Sequence, residues 1–473
     1  ITWERAMEIT DCLYLMLDRY VSYGATLGGQ LPEGGDGINS MSWLCLSSIR
    51  RLRLLSPRTA LRWHPDMPEE FFKEAVEAMA SGATFPTLVN DQVVIPAMIS
   101  RGASPAHARD YTFCGCGQVT PMGRAYGSYE DIILNSVKPF HLVLHDGMDE
   151  NHPVQIGPAT GHLECFSDYD AFEQAVWRQM EALLEKSISQ SNRIKEWGAK
   201  NLLDPLRSLL THSCLEKALD FRAGGADYHE GMVDVVGFAS LVDSLNAVRQ
   251  LVFEEKRMSL MELRDILDQN WDGRESLRLE CRNRLSKFGN DEEASDGTAI
   301  RLMTRLNEYL SRQKTFMGGP WGLDIIGWSA AVQMGGNTGA TPDGRKKGEP
   351  IADSGGPAQG RDKKGITAVF RSMVKLPLDK THGPVALSVR IAGNSLKNTE
   401  NVGKLKDLLE SYMRMGGQQI QVTVADSLLL QEAQNNPDAH RDLIVRVGGF
   451  SAYFTQLEKC YQDDIISRSE HSV

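Results

Sequence analysis

The stretch RVGGFSAYF, Arg446–Phe454, decides how the chain is read. The apolar run 443–447 before it has the character of a strand, and then two glycines remove side chains where a core needs them. Aromatic residues follow at once, and a helical pattern over 455–468 comes next, so the glycines are not on a loose tail. A paired glycine at a strand end is most often a bulge or tight turn. Here Arg446 stands inside the apolar run, and the helix that follows is placed to clamp the loop into the body.

Composition narrows the function classes. The chain has 473 residues, 41% hydrophobic and 24% charged, which is the balance of a folded protein with a large core. A net charge of −11 argues against nucleic acid or an anionic membrane as partner. No window approaches the ~18 apolar residues of a membrane span. The opening residues, ITWERAMEITDCLYLML, mix Glu4, Arg5, Glu8 and Asp11 into an apolar periodicity, which makes them a helix and not a signal peptide. Starting in mid-helix, they look like the continuation of something longer. Eight scattered cysteines without framework spacing read as reduced thiols in a cytoplasm.

Periodicity predicts helices over 1–23 and 68–81, the second opened by Pro68, with Gly- and Pro-rich loops at 24–38 and 115–127. A long amphipathic helix runs from Asp168 to about Trp197, followed by helices at 203–222, 238–256 and 259–271, the last with Ser259 and Glu262 in capping-box spacing. The polar segment 282–300 reads as a loop and helix start, and a helix over 299–313 leads into a Gly-rich region at 317–360. Short β-type runs then follow at 383–393, 416–426 and 442–449, separated by helices at 400–415 and 427–434. The pattern is α/β, helix-heavy in the middle and strand-rich late.

Two further stretches could carry chemistry. YTFCGCGQVTPMGRAYG, Tyr111–Gly127, sets Cys114 and Cys116 around one glycine on a permissive backbone. Without further ligands at zinc spacing this is no structural metal site. It is either an ordinary Gly-rich loop or a reactive thiol presented at a loop tip. GGNTGATPDGRKKGEPIADSGGP, Gly335–Pro357, has a strong turn signal and two lysines, but no phosphate-binding motif stands between a strand and a helix. His141 and His145, four apart, share a helix face and read as surface or satisfied core histidines.

Taken together, Arg446–Ala452 and the GCGQ tetrad, Gly115–Gln118, resemble the signatures of the glycyl radical enzymes, the pyruvate formate-lyase superfamily. The C-terminal signature R-V-x-G-[YF]-S-A is met in full, and the G-C-x-E loop is met up to its last position. Other segments agree in order and spacing: IGPATG (156–161), VDSLNAVRQLVFEEKRMS (242–259), FGNDEEASD (288–296), TGATPDGRKKGEPIADS (338–354) and GGQQIQVTVAD (416–426). The resemblance covers almost the whole chain, and several segments are closer to the glycerol and diol dehydratase branch than to the pyruvate formate-lyases proper.

The resemblance implies a ten-stranded α/β barrel of two antiparallel five-stranded halves, with the Cys and Gly loops meeting inside. Family chains are roughly twice as long, so this sequence corresponds to the C-terminal half, as a fragment or as a chain complemented by a separate N-terminal half. Residues 1–330 would be the lyase-like part and 331–473 the glycine radical part. Gly449 is the implied radical store and Cys116 the implied thiyl relay, with Gly448 and Cys114 off-register. There would be no bound cofactor and no metal. The radical would be installed by a separate radical S-adenosylmethionine activase, in a cytoplasmic, oxygen-sensitive, commonly homodimeric enzyme. Gly suits the role because it has no Cβ to stop the radical centre from flattening between two amides.

Gln118 departs from the family pattern. In dehydratase members this position is a Glu that takes a proton, which a Gln cannot do. Either another carboxylate serves, with Glu130 and Asp131 the candidates, or the reaction needs no base. At a helix start the same two acids equally serve as charge–dipole partners. The implied function is radical elimination or C–X cleavage, of dehydratase or lyase type, on a small polar substrate. The alternatives are base-independent C–C cleavage or addition, and a non-catalytic radical-bearing half-barrel.

Overall fold

A computed structural model describes residues 1–19, 24–127 and 131–473. It confirms the α/β class. Thirteen strands are present among the described residues: Gly24–Gly28 (β1), Arg58–Trp63 (β2), Thr87–Asn90 (β3), Tyr111–Cys114 (β4), Gln118–Pro121 (β5), Ile132–Asn135 (β6), Gly231–Val236 (β7), Trp321–Asp324 (β8), Ala386–Ile391 (β9), Gln419–Val424 (β10), Ile444–Arg446 (β11), Ser451–Tyr453 (β12) and Glu470–His471 (β13). The chain forms two compact units, one of residues 1–129 with 377–473 and the other of residues 130–376.

The first unit is built on a six-stranded sheet in the order β1-β2-β3-β10-β9-β13. β1, β2 and β3 run parallel, β10 is antiparallel to β3, and β9 and β13 run parallel to β10. Helix Ser40–Leu52 links β1 to β2, Glu69–Ala80 links β2 to β3, and Thr399–Arg414 links β9 to β10. β2, β3 and β10 are buried along nearly their whole length, as expected of strands covered on both faces. Two small antiparallel ribbons, β4-β5 and β11-β12, complete this unit.

The second unit holds the parallel sheet β6-β7-β8 and the long helix Tyr169–Asn201. Helix Phe238–Val248 is buried all round and continues as a π turn over Arg249–Glu254. Val137, Val236, Ala330, Ala331 and Ile351 pack together beside the sheet.

Several sequence expectations need correction. The segment 24–38 is not all loop, because β1 lies in it. β1 was hidden by its glycines, and Gly24 is required because a Cβ there would come within 2.9 Å of the Phe113 carbonyl. β2 and β3 gave no alternating signal because neither face meets water. The helix expected over 203–222 is broken into Pro205–Leu209, Cys214–Lys217 and Phe221–Ala223, and Ser213 and Ala218 take left-handed backbone (φ 66° and 52°) at the breaks. Within 115–127, residues 118–121 form β5. The helix placed at 299–313 starts earlier and spans Glu293–Arg312. Among the described residues no helix is long and apolar enough to cross a membrane.

Candidate active site

The first unit contains two hairpins whose tips meet. In one, β4 and β5 pair with Cys114 opposite Gln118 and Phe113 opposite Val119, leaving Gly115, Cys116 and Gly117 as the tip. Gly115 (φ 54°) and Gly117 (φ 150°) hold backbone that a side chain resists. Space is also short, since a Cβ on Gly115 would lie 2.7 Å from the Gln118 Oε1 and one on Gly117 2.7 Å from the Gln419 Nε2. Gln118 is fully buried and its Oε1 accepts the Cys116 N–H at 3.1 Å. Cys114 turns away and donates its S–H to the Gln118 carbonyl at 3.4 Å.

The base of this hairpin is fixed to the main sheet. The Thr26 hydroxyl accepts the Phe113 N–H at 2.9 Å. Arg62 pairs with the fully buried Asp91 through two 2.9 Å bonds, donates to the Tyr111 carbonyl at 3.2 Å, and lies 3.9 Å from the centre of the Tyr111 ring. The Tyr111 hydroxyl donates to Asp91 at 2.7 Å. Burial is the main reason its pKa stands well above the ordinary value, with the Asp91 charge adding to it. An ion pair this deep is favourable only when its hydrogen bonds are complete, which this one achieves.

In the other hairpin β11 and β12 pair with Arg446 opposite Ser451, and the Val447 N–H donates to the Phe450 carbonyl at 2.9 Å to close the tip. Gly449 carries left-handed backbone, φ 75°. A Cβ built on it would fall 2.2 Å from the Cys116 Cβ and 2.8 Å from its Cα and carbonyl oxygen. No side chain fits there. The α-carbon of Gly449 therefore faces Cys116 at direct contact, and both residues are buried.

Gln421 on β10 joins the two tips. Its Oε1 accepts the Gly449 N–H at 3.0 Å and the Arg446 Nε–H at 2.9 Å, and its Nε2 donates to the Cys116 carbonyl at 3.5 Å. Arg446 is 1% exposed, bonds Thr87 Oγ1 at 2.8 Å and the Thr84 carbonyl at 3.4 Å, and lies over the Phe85 ring. Burial pulls its pKa down to about 9, with the Cys116 sulfur acting in the opposite direction and Arg58 adding to the fall. It remains a cation at neutral pH. Arg58 bridges both tips, its Nη1 3.3 Å from the Gly115 carbonyl and 3.8 Å from the Cys116 sulfur, its guanidinium 5.8 Å from the Phe450 ring centre. The C-terminal helix Lys459–Ser467 clamps the Gly hairpin as expected: Arg468, paired with Asp464, donates to the Val447 carbonyl at 2.6 Å and to the Arg446 carbonyl at 3.3 Å.

The expected site residues are thus partly assembled. Gly449, Cys116 and Gln118 come together, while Glu130 lies outside the described residues. Asp131 is occupied structurally, accepting the Met232 N–H at 3.0 Å and pairing with Lys195 at 2.8 Å. In the second unit His141 is buried, which lowers its pKa to about 4, and His145 contacts Asp268 at 3.1 Å. Sequence reading missed Gln421, Arg58 and the Thr84–Thr87 cradle. The signal for the first was present: QIQVTV puts Gln419 and Gln421 on one face of a strand with no solvent-facing side.

Comparison with known proteins places this geometry in a family. Residues 1–335 match the pyruvate formate lyase-like family and residues 351–455 the glycine radical family. The chain is 31% identical to (2S)-3-sulfopropanediol dehydratase of Klebsiella oxytoca, over 94% of this chain and 54% of that protein. It is 29% identical to trans-4-hydroxy-L-proline dehydratase of Clostridioides difficile, over 99% and 61%. The glycerol-bound B12-independent glycerol dehydratase of Clostridium butyricum superposes with a TM-score of 0.94 at 31% identity, covering 100% of this chain and 62% of that one. The chain thus spans less than two thirds of the length of these relatives. With the radical glycine signature and the thiol in contact on one frame, the chain belongs to the pyruvate formate lyase-like glycyl radical enzymes.

Proposed function

We propose that the protein works in radical elimination or C–X bond cleavage, of dehydratase or lyase type, on a small polar substrate. The observation that carries this is the contact between the Gly449 α-carbon and Cys116. An activase removes one hydrogen atom from Gly449. The glycyl radical then takes the hydrogen atom of the Cys116 thiol, breaking S–H and forming C–H, and the thiyl takes a hydrogen atom from substrate carbon. The neighbouring C–X bond breaks with its electron pair leaving on X. The substrate hydroxyl releases a proton, and the product radical recovers its hydrogen from Cys116. Gln118 cannot take the proton, and its Oε1 is committed to the Cys116 N–H. Glu130 is the carboxylate we assign to that step. The relatives support the reaction class: they include dehydratases and an isethionate sulfite-lyase.

A base-independent C–C cleavage or addition is the second reading, favoured only by Gln118. We also propose that the six-stranded sheet belongs to a ten-stranded barrel, that the chain corresponds to the C-terminal part of the family fold with 1–330 lyase-like and 331–473 radical-bearing, and that the active form is a cytoplasmic homodimer or is completed by a separate first-half chain. The test is anaerobic treatment with a radical S-adenosylmethionine activase. A doublet electron spin resonance signal is expected, and its absence from the complete protein overturns the reading.

A further inference from the structure

Gln421 contacts both residues of the proposed relay, and nothing in the sequence motifs assigns it a part. Its carboxamide orientation is fixed by its neighbours. Arg446 and the Gly449 amide can only donate, so the oxygen faces them, and the amide nitrogen is left for the Cys116 carbonyl. Gln421 is 1% exposed, so its hydrogen bonds act without competition from water. Arg446 is locked in turn by Thr84, Thr87 and the Phe85 ring. Each link from the sheet to Gly449 is thus a buried hydrogen bond or ring contact.

We infer that Gln421 is the positioning residue for hydrogen-atom transfer between Gly449 and Cys116, holding both backbones through one carboxamide and polarising the Gly449 amide. The inference rests on the radical reading above. The step is the exchange of one hydrogen atom: Cys116 S–H breaks, the Gly449 Cα–H forms, and the unpaired electron moves to sulfur, with no third reactant. Its rate depends steeply on the distance and angle between the two atoms. The unpaired electron on Gly449 is shared with its amide nitrogen. A hydrogen bond from that N–H to the Gln421 oxygen increases electron release from nitrogen and stabilises the radical.

The thiol hydrogen exchanges with solvent, so in D2O the relay returns deuterium to Gly449 and the doublet collapses to a single line. The experiment follows that collapse in the complete, activase-treated protein. Gln421→Leu is expected to slow the collapse by about 10–100-fold and to change the doublet splitting. Gln421→Glu keeps an acceptor for Gly449 and Arg446 but loses the donor to Cys116, so its collapse slows by a smaller factor. A Leu variant with wild-type collapse rate and splitting overturns the inference. If the Leu variant does not fold, the Glu variant decides, and a wild-type collapse rate there overturns it equally. The wild-type control separates the two ideas: no doublet at all defeats the radical reading, whereas a normal wild-type collapse with unaffected variants defeats only the role of Gln421.

Discussion

The two hairpins of the first unit solve opposite problems with similar means. Both present a short tip with left-handed glycine, and both are anchored by arginine. The Cys hairpin is tied to the main sheet, through Thr26 on β1 and the Arg62–Asp91 pair. The Gly hairpin packs against its own sequence neighbours, in a cluster of Ala425, Leu430, Ala433, Val445, Val447, Phe454 and Ile465. Its links outward are mostly polar: Arg446 to Thr84, Thr87, Gln421 and the Phe85 ring, Ser451 to Thr84, Gly449 to Gln421, and Phe450 to Arg58. The glycines also differ in purpose. Gly115 and Gly117 give way to Gln118 and Gln419, whereas Gly449 gives way to Cys116 itself. One hairpin fixes the Cys116 thiol to the main sheet, and the other carries Gly449 on a separately packed mount.

The sharpest way to break that contrast is Gly449→Ala. Left-handed backbone costs an alanine about 1–2 kcal/mol, and its methyl has no room beside Cys116. The doublet is expected to vanish completely, and a surviving doublet would move the radical to Gly448. Next is Cys116→Ser, which should keep the doublet and lose all turnover. Turnover at the wild-type rate would transfer the relay to Cys114, whose S–H instead points at the Gln118 carbonyl. Gly117→Ala leaves the Gly449 hairpin untouched but displaces the thiol. Turnover should fall about 100-fold at unchanged doublet intensity, as expected for a misplacement of ~1 Å. A loss of less than threefold would mean that the tip tolerates movement. Arg468→Ala tests the separate mount. It removes two carbonyl partners and the ion pair with buried Asp464, so the denaturation midpoint should drop by the equivalent of about 2 kcal/mol. Oxygen should also cut the radical form at Gly449 faster than in the wild type. The smallest effect belongs to Arg58→Met, at about 1 kcal/mol, because two long hydrogen bonds and one ring contact are lost from a half-buried side chain.

Much of this was legible in the sequence. RVGGFSAYF and GCGQ pointed to the two tips that the structure brings into contact, and the clamp by the C-terminal helix followed from its nearness. Helix Glu69–Ala80 and the late strands β9, β10 and β11 fell inside the expected ranges. The early strands did not show themselves, because β1 is glycine-rich and β2 and β3 are buried on both faces, which erases alternation. The helix at 203–222 misled because apolar spacing is blind to the left-handed breaks at Ser213 and Ala218.

What the sequence determined by itself is chemical identity: a glycine where the backbone can flatten, a thiol at a permissive tip, and a Gln in place of a Glu. Which glycine meets which thiol was decided only in three dimensions. The tips of β4-β5 and β11-β12 lie far apart along the chain, and their contact depends on a carboxamide from a third strand and on an arginine that has no carboxylate partner among the described residues. Such contacts leave no periodicity, because each is made once, by a side chain whose partner comes from another part of the chain.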